Sequence, residues 1–119
     1  MCDGSRIAGD AVRRVCMLSA DGRHIVHSHG GQPGSDIGQY YGPAHLAVDN
    51  DECVFVVDFN YGRVTLLSPT LHYVRQVVSR HQLKGLPTRV CLHKRLLYIA
   101  DNEMKGGKLT TGRVVVFSV

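Results

Sequence analysis

Residues 43–67 read PAHLAVDNDECVFVVDFNYGRVTLL, and this stretch decides the fold class. Two apolar, strand-like runs lie on either side of the polar turn 49–52, and a third run opens at Arg63, directly after Gly62. Short alternating runs that are separated by turn residues are typical of antiparallel β-structure. The stretch therefore predicts consecutive strands joined by hairpins.

The rest of the chain repeats this pattern and contains no helical stripe of apolar residues. Further hairpins are predicted around turns at 21–22, 68–70 and 93–95, and residues 113–119 form one more strand. The Asp-Gly pair at 21–22 is a strong hairpin signal because both residue types tolerate positive φ. We therefore predict an all-β protein.

Composition narrows the class of protein. The chain has 119 residues, of which 44% are apolar, 20% charged and 7% aromatic, as is usual for a globular domain. Its apolar runs are a few residues long, whereas a membrane-spanning helix needs about 20 apolar residues. The first residues lack the layout of a secretory signal, so we expect a cytoplasmic protein that does not bind membranes.

Four cysteines lie far apart in the sequence, without the paired spacing of a zinc site. They are expected to be buried free thiols. His27 and His29 share one side of a strand, and the turn 49–52 is acidic, but neither has the spacing of a known metal site. We expect no metal, no other cofactor and no catalytic residue.

Charge is distributed unevenly along the chain. Residues 1–58 hold four basic and eight acidic residues, a net charge of −4, whereas residues 59–119 hold ten basic and two acidic residues, a net charge of +8. The basic half is where an acidic partner, nucleic acid included, is expected to bind.

The chain also repeats itself. Pro43 and Pro87, each followed by an alternating strand, are 44 positions apart, and Asp58 and Asp101, each at the end of a strand, are 43 positions apart. Proline suits the first position of a strand because it cannot donate to the ladder. A period of about 40–50 residues is the size of one four-stranded propeller blade.

Residues 30–67 resemble an NHL repeat, whose pattern is a glycine-rich linker, a proline, an alternating strand that ends in Asp, and then Asn and Arg-Val. Asp58, Asn60 and the pair Arg63-Val64 match this pattern, and residues 86–117 match it with an insertion at 102–111. The resemblance implies an incomplete β-propeller, with about two and a half four-stranded antiparallel blades of a six-bladed ring.

The resemblance divides the chain into three parts. Residues 1–28 are the last strands of a first blade, residues 29–78 are a complete blade with its linker, and residues 79–119 are a third blade that lacks its outer strand. Open sheet ends are adhesive, so we expect either the remainder of a ring or self-association.

Two sets of residues follow from this arrangement. The first is structural: a hairpin brings the side chains of Asp58 and Arg63 together as an ion pair, and Gly62 supplies the unusual φ of the turn. The full structural set is Asp58, Asn60, Gly62, Arg63, Asp101 and Arg113. The second set is a binding face of aromatic and basic side chains on the predicted loops 3–12, 59–61 and 102–111 and the inter-blade linkers 29–42 and 79–86. These side chains are Tyr41, Phe59, Tyr61, Arg80, His81, Lys84, Lys105 and Lys108.

Aromatic rings interleaved with cations suit the stacking of bases and the binding of phosphates, or the anchoring of an acidic peptide. The resemblance implies a non-enzymatic scaffold that binds a protein or single-stranded RNA, such as the substrate-recruiting part of a tripartite-motif ubiquitin ligase. Ligase activity itself needs a zinc-binding RING module, whose Cys/His array this sequence lacks. Two alternatives stay open: a metal-dependent lyase or hydrolase on a similar propeller, for which His45 is the inward-facing candidate, and an inactive truncated fragment.

Overall fold

The computed structural model describes residues 6–9, 14–30, 39–40, 43–59 and 61–119. These residues form β-strands and one short 3₁₀ turn, Arg80–Gln82, which confirms the all-β prediction. Within these ranges, no helix has the length and apolar character needed to cross a membrane. The strands are β1 Arg6–Gly9, β2 Arg14–Leu18, β3 Ile25–Gly30, β4 Pro43–Val48, β5 Val54–Asp58, β6 Arg63–Leu67, β7 Tyr73–Val78, β8 Leu86–His93, β9 Leu96–Lys105 and β10 Lys108–Ser118.

The strands form three antiparallel sheets, each a simple meander. The first sheet has the order β1-β2-β3, the second β4-β5-β6-β7 and the third β8-β9-β10. Every pair of hydrogen-bonded neighbours is also adjacent in sequence, as expected of strands joined by short turns.

The second sheet is the middle layer and is covered on both faces. Its strand β5 is buried at all five positions. Val56 packs in one apolar cluster with Val15 of the first sheet, and Val57 packs in another with Leu97 of the third. Successive side chains of a strand point to opposite faces, so a strand between two other sheets must be apolar throughout. This explains why residues 54–57 are four consecutive apolar residues.

The inner strands of the second and third sheets are also joined by a polar contact. The backbone N–H of Val90 in β8 donates to Nδ1 of His45 in β4, at 3.1 Å. This bond satisfies a donor that has no strand partner on that side, and it fixes the position of the third sheet against the second.

Two segments that the sequence predicts as loops are strands. The insertion 102–111 continues the ladder of β9 and β10 past a register shift, and the Gly106-Gly107 pair closes it with φ values of 59° and 77°. Arg6–Gly9 lies within the predicted loop 3–12 but pairs antiparallel with β2. In both cases the backbone groups pair in a ladder with a neighbouring strand.

The third sheet has one packed face and one open face. Val115 and Phe117 pack toward the second sheet, whereas Val114 and Val116, which point the other way, are 65% and 47% exposed. Cys91 lies on the same open face and is exposed. We call the face that carries Cys91, Tyr98, Ala100, Val114 and Val116 the third-sheet open face.

The cysteines depart in part from the prediction of buried thiols. Cys16 is buried, Cys53 is half-buried, and Cys91 is exposed because no described layer covers its side of the sheet. All three are free thiols, and Cys2 lies outside the described residues.

Candidate binding face

Asp58 and Arg63 form a buried corner at one end of the second sheet. They are directly opposite each other in the ladder of β5 and β6, and Arg63 Nε lies 3.4 Å from Asp58 Oδ2. Asp58 is 0% exposed and Arg63 is 5% exposed. Gly62 precedes the arginine with a φ of 70°, a left-handed conformation that favours glycine. The pair therefore closes the hairpin from inside the protein.

Two aromatic rings surround the Arg63 side chain. Its guanidinium carbon lies 5.6 Å from the centre of the Tyr40 ring and 5.2 Å from that of Tyr61, both within the range of cation–π attraction. Its Nη2 donates to the backbone carbonyl oxygen of Gln39. The Tyr40 hydroxyl makes a buried hydrogen bond with the Thr65 hydroxyl at 3.1 Å, and burial raises the pKa of Tyr40 to about 12. The corner thus anchors the segment that leads into β4.

The third sheet has a corner built on the same plan. Asp101 lies opposite Arg113 in the ladder of β9 and β10, with Arg113 Nε 3.2 Å from Asp101 Oδ2. The Asp101 carboxylate also accepts the backbone N–H groups of Lys84 and Gly85, each at 2.8 Å. Asp101 is buried, but the Arg113 side chain is 47% exposed. The carboxylate therefore holds the incoming chain in place with or without the arginine.

Gly85 is required at this corner by close contact. A Cβ atom at this position would lie 2.0 Å from the backbone carbonyl oxygen of Asn102. The chain that enters β8 therefore runs against the backbone of β9, which only a residue without a side chain allows.

The predicted structural residues are thus gathered at two corners, except for Asn60, which lies outside the described residues. Each corner pairs a buried carboxylate with an arginine on the facing strand. Charge-assisted bonds of this kind fix local geometry. The carboxylates of Asp58 and Asp101 therefore stabilise the two hairpins, and any ligand would contact other side chains at this end of the sheets.

The predicted binding residues surround these corners with different degrees of exposure. Arg80 lies beside Gly62, since a Cβ on that glycine would be 3.3 Å from Arg80 Cγ. Lys84 is tied to the second corner by its backbone. Exposed side chains are Arg80, His81, Lys84, Lys105 and Lys108; half-buried ones are Phe59 and Tyr61; Tyr41 lies outside the described residues.

Lys105 and Lys108 lie at the tip of the long hairpin. They are opposite each other in the ladder, on either side of the Gly-Gly turn. The tip is three residues beyond Asn102, a distance of about 10 Å along an extended strand. Lys105 Nζ is 4.0 Å from a carboxylate oxygen of Glu103, a weak and solvated contact. The hairpin therefore extends two cations outward from the same end of the sheets.

We call this end, with Arg80, His81, Lys84, Lys105 and Lys108, the basic end. Its cations face solvent, whereas the carboxylates of Asp58 and Asp101 are buried and paired. Phe59 and Tyr61 are half-buried in the β5–β6 turn at this end, where the Tyr61 ring centre lies 5.2 Å from the guanidinium carbon of Arg63. Such a surface attracts anions and offers ring edges or faces beside them.

Sequence patterns did not identify some of the residues that hold this end together. Tyr40 is expected from the sequence to pack beneath the linker that precedes β4, and it is 1% exposed; its contacts with Arg63 and His29 are what the sequence did not indicate. His29 packs its ring against Tyr40 and Tyr73, with ring centres 5.8 Å and 6.5 Å apart. Burial lowers the pKa of His29, and the positive charges of His72 and Arg63 lower it further. These contacts depend on how the sheets stack, which local sequence does not record.

His45, the inward-facing histidine of the metal-enzyme alternative, uses Nδ1 to accept the N–H of Val90. Among the described residues, no group of three His, Cys, Asp or Glu side chains is arranged to hold a metal ion. The acidic turn 49–52 is a backbone-capping turn, because Asp49 Oδ1 accepts the N–H groups of Asp51 and Cys53 at 2.9 Å and 2.8 Å.

Comparison with known protein families finds no family model that matches the chain. Comparison with curated proteins likewise finds no significant match.

Proposed function

We propose that the chain is a non-enzymatic binding scaffold of the NHL-repeat type, and that its basic end binds single-stranded RNA. The proposal includes the architecture of an incomplete propeller, with residues 1–28, 29–78 and 79–119 as a partial, a complete and a second partial blade. It places the protein in the cytoplasm, and a ubiquitin ligase of the tripartite-motif class is the assembly to which such a scaffold would bring its ligand.

One observation carries the choice of ligand. The basic end exposes four permanent cations; the carboxylates of Asp58 and Asp101 are buried in ion pairs, and Glu103 makes a weak, solvated contact with Lys105 at 4.0 Å. A phosphate backbone gains most from cations that are accessible and not already neutralised. Phe59 and Tyr61 are half-buried in the β5–β6 turn at the same end of the sheet, and aromatic rings stack bases regardless of sequence.

The stacked sheets support the architecture. The second sheet has four strands and packs both faces against three-stranded neighbours, as blades of a propeller do. The third-sheet open face has the apolar character of a surface that a further blade would cover. We propose that this layer comes either from the remainder of a ring or from a second copy of the chain.

The oligomeric state of the chain in solution tests whether a second copy covers the third-sheet open face. If this face mediates self-association, light scattering will show oligomers for the unaltered chain and a lower mass for Val114→Lys/Val116→Lys, because lysines cannot be buried unpaired. The matched change Val26→Lys on the exposed part of β3 should leave the mass unchanged. A monomer at all concentrations would remove self-association from the proposal.

The ligand is tested by the salt dependence of binding to a fluorescein-labelled oligouridine, followed by anisotropy. Arg80, Lys84, Lys105 and Lys108 together predict a slope of log K against log salt of about −3, at about −0.7 for each phosphate contact. Lys105→Gln/Lys108→Gln should reduce the slope to about −1.4.

A matched control removes two cations elsewhere. Arg23 lies in the β2–β3 turn and Arg89 on the outward side of β8, and both are exposed. Arg23→Gln/Arg89→Gln should keep the original slope. Equal effects of the two double variants would mean that net charge, and not the basic end, governs binding. If the chain binds a protein at the basic end and shows no salt-sensitive binding of oligouridine, the proposal of an RNA ligand is wrong and the ligand is a protein.

A further inference from the structure

A cleft opens between the second and third sheets at the end opposite to the basic end. It has a volume of about 670 Å³, which is within the usual size of ligand sites. Apolar side chains of both sheets form its floor: Phe55, Leu66, Leu92 and Val119. The turns β4–β5 and β8–β9 form its rim.

Cations dominate the rim of the cleft. Arg75, Lys94 and Arg95 line it and are exposed, and Arg75 lies next to Leu66 in the ladder of the second sheet. The opposite rim carries Asp49 and Asp51. Asp49 is engaged in its own turn, where its Oδ1 accepts two backbone N–H groups. The cleft therefore combines an apolar floor with a rim of three cations and two carboxylates, which leaves a net positive charge on the side of Arg75, Lys94 and Arg95.

The turn that presents two of these cations is strained. His93 and Leu96 pair directly, so Lys94 and Arg95 alone form the loop, with φ values of 48° and 65°. A two-residue hairpin with positive φ at both positions is a type I′ turn, which favours Asn-Gly or Gly-Gly. Residues with bulky side chains each pay about 1 kcal/mol or more for this conformation.

The other hairpin of the third sheet has the same type of turn without strain. The β9–β10 hairpin also has a two-residue loop with positive φ at both positions, and there both residues are glycine. Compared with a Gly-Gly pair, the Lys-Arg pair at the β8–β9 turn lowers the stability of the fold, and it places two cations at the mouth of the cleft. Strain concentrated at a site of this kind points to a function for the side chains.

We propose that this cleft binds an extended acidic peptide segment, whose apolar side chains contact the floor while its carboxylates meet Arg75, Lys94 and Arg95. Side chains of an extended peptide alternate in direction, so carboxylates and apolar groups at alternate positions meet rim and floor together. A polynucleotide fits less well, because its sugar–phosphate backbone would leave the apolar floor uncovered. The proposal is independent of RNA binding at the basic end.

The test is the double variant Lys94→Asn/Arg95→Gly, which installs the preferred turn and removes both cations. We expect its Tm to rise by about 3–8 °C. The probe is a fluorescein-labelled octapeptide in which glutamates alternate with leucines. Its affinity for the variant is expected to fall at least about tenfold at physiological salt. A variant that is more stable and binds less cannot owe the loss of binding to misfolding.

Three comparisons complete the experiment. Arg23→Gln/Arg89→Gln removes the same charge elsewhere and should bind the peptide as the unaltered chain does. An octapeptide with lysines in place of the glutamates should not bind. Unchanged binding of the acidic peptide by Lys94→Asn/Arg95→Gly, equal binding of both peptides, or no binding of either overturns the proposal. Loss of oligouridine binding in the same variant would assign the cleft to RNA and also overturn it, whereas failure of RNA binding at the basic end leaves it intact.

Discussion

The two Asp–Arg corners allow a stability experiment with an internal comparison. Arg63→Met and Arg113→Met remove the same charge from the same kind of hairpin while keeping a long side chain. The corners differ in burial: Arg63 is 5% exposed, whereas the Arg113 side chain is 47% exposed. After Arg113→Met, the carboxylate of Asp101 keeps the N–H groups of Lys84 and Gly85 at 2.8 Å, which limits the loss at this corner.

These differences set the magnitudes. Arg63→Met leaves the carboxylate of Asp58, which is 0% exposed, without its cation, and breaking a buried pair from one side costs about 3–5 kcal/mol. The loss of cation–π contacts with Tyr40 and Tyr61 is part of that cost. Arg113→Met should cost less than about 1 kcal/mol, the usual value for a solvated pair. The total free energy of unfolding of a domain is about 5–15 kcal/mol, so Arg63→Met removes a large share of it.

Urea unfolding followed by far-UV circular dichroism measures both variants. Asp58→Asn in the Arg63→Met background should restore about 1–3 kcal/mol, because it removes the uncompensated charge. If Arg63→Met alone does not fold, the stability of the double variant is compared with that of the unaltered chain instead. Equal losses for Arg63→Met and Arg113→Met, or a double variant no more stable than Arg63→Met, would refute the view that burial makes the first corner the stronger one.

Three further predictions concern the packing around these corners. Burial lowers the pKa of His29 below 6.5, so the unfolded chain binds a proton at a higher pH than the folded chain does. The contribution of His29 to the free energy of unfolding is therefore full above about pH 6.5 and is lost as the pH falls through the folded pKa. Urea unfolding at several pH values should show a smaller decline for His29→Gln. Gly85→Ala should destabilise by at least about 2 kcal/mol, because its Cβ would meet the carbonyl oxygen of Asn102 at 2.0 Å; a loss below about 0.5 kcal/mol would contradict the close approach. Spectrophotometric titration should show a tyrosine with a pKa of about 12 that disappears in Tyr40→Phe, and this variant should also lose about 1 kcal/mol with its bond to Thr65.

Much of the fold is readable from the sequence because its signals are local. Four residues between Asp58 and Arg63 close a hairpin, and the hairpin register then places the two side chains opposite each other. The run of apolar residues 54–57 similarly indicates a strand covered on both faces. Such features need only the period of the strand and the chemistry of the turn.

Features that arise from packing between sheets, or that lack an apolar pattern, were not predictable in the same way. Residues 102–111 pair as strands although their sequence lacks the alternation of apolar and polar residues that marks a half-buried strand, so they resemble a loop in sequence. The contact of Tyr40 with Arg63 joins residues from different parts of the meander. The positive φ of Lys94 and Arg95 could not be predicted either, because the turn lacks the Asn-Gly or Gly-Gly pair that normally indicates a type I′ turn.

The structure also changes the meaning of the basic excess in residues 59–119. The ten cations do not form one patch: two are engaged at the corners, four lie at the basic end, three line the opposite cleft and Arg89 lies on the outward side of β8. The corner arginines close hairpins and are the least free to meet a ligand. Apart from Arg89, the remaining cations belong to two ends of the sheet stack that have different neighbours: half-buried rings at one, and an apolar floor with carboxylates at the other. Net charge alone would predict a single, salt-sensitive binding surface, whereas the positions of the turns place these cations at two separate ends of the sheet stack.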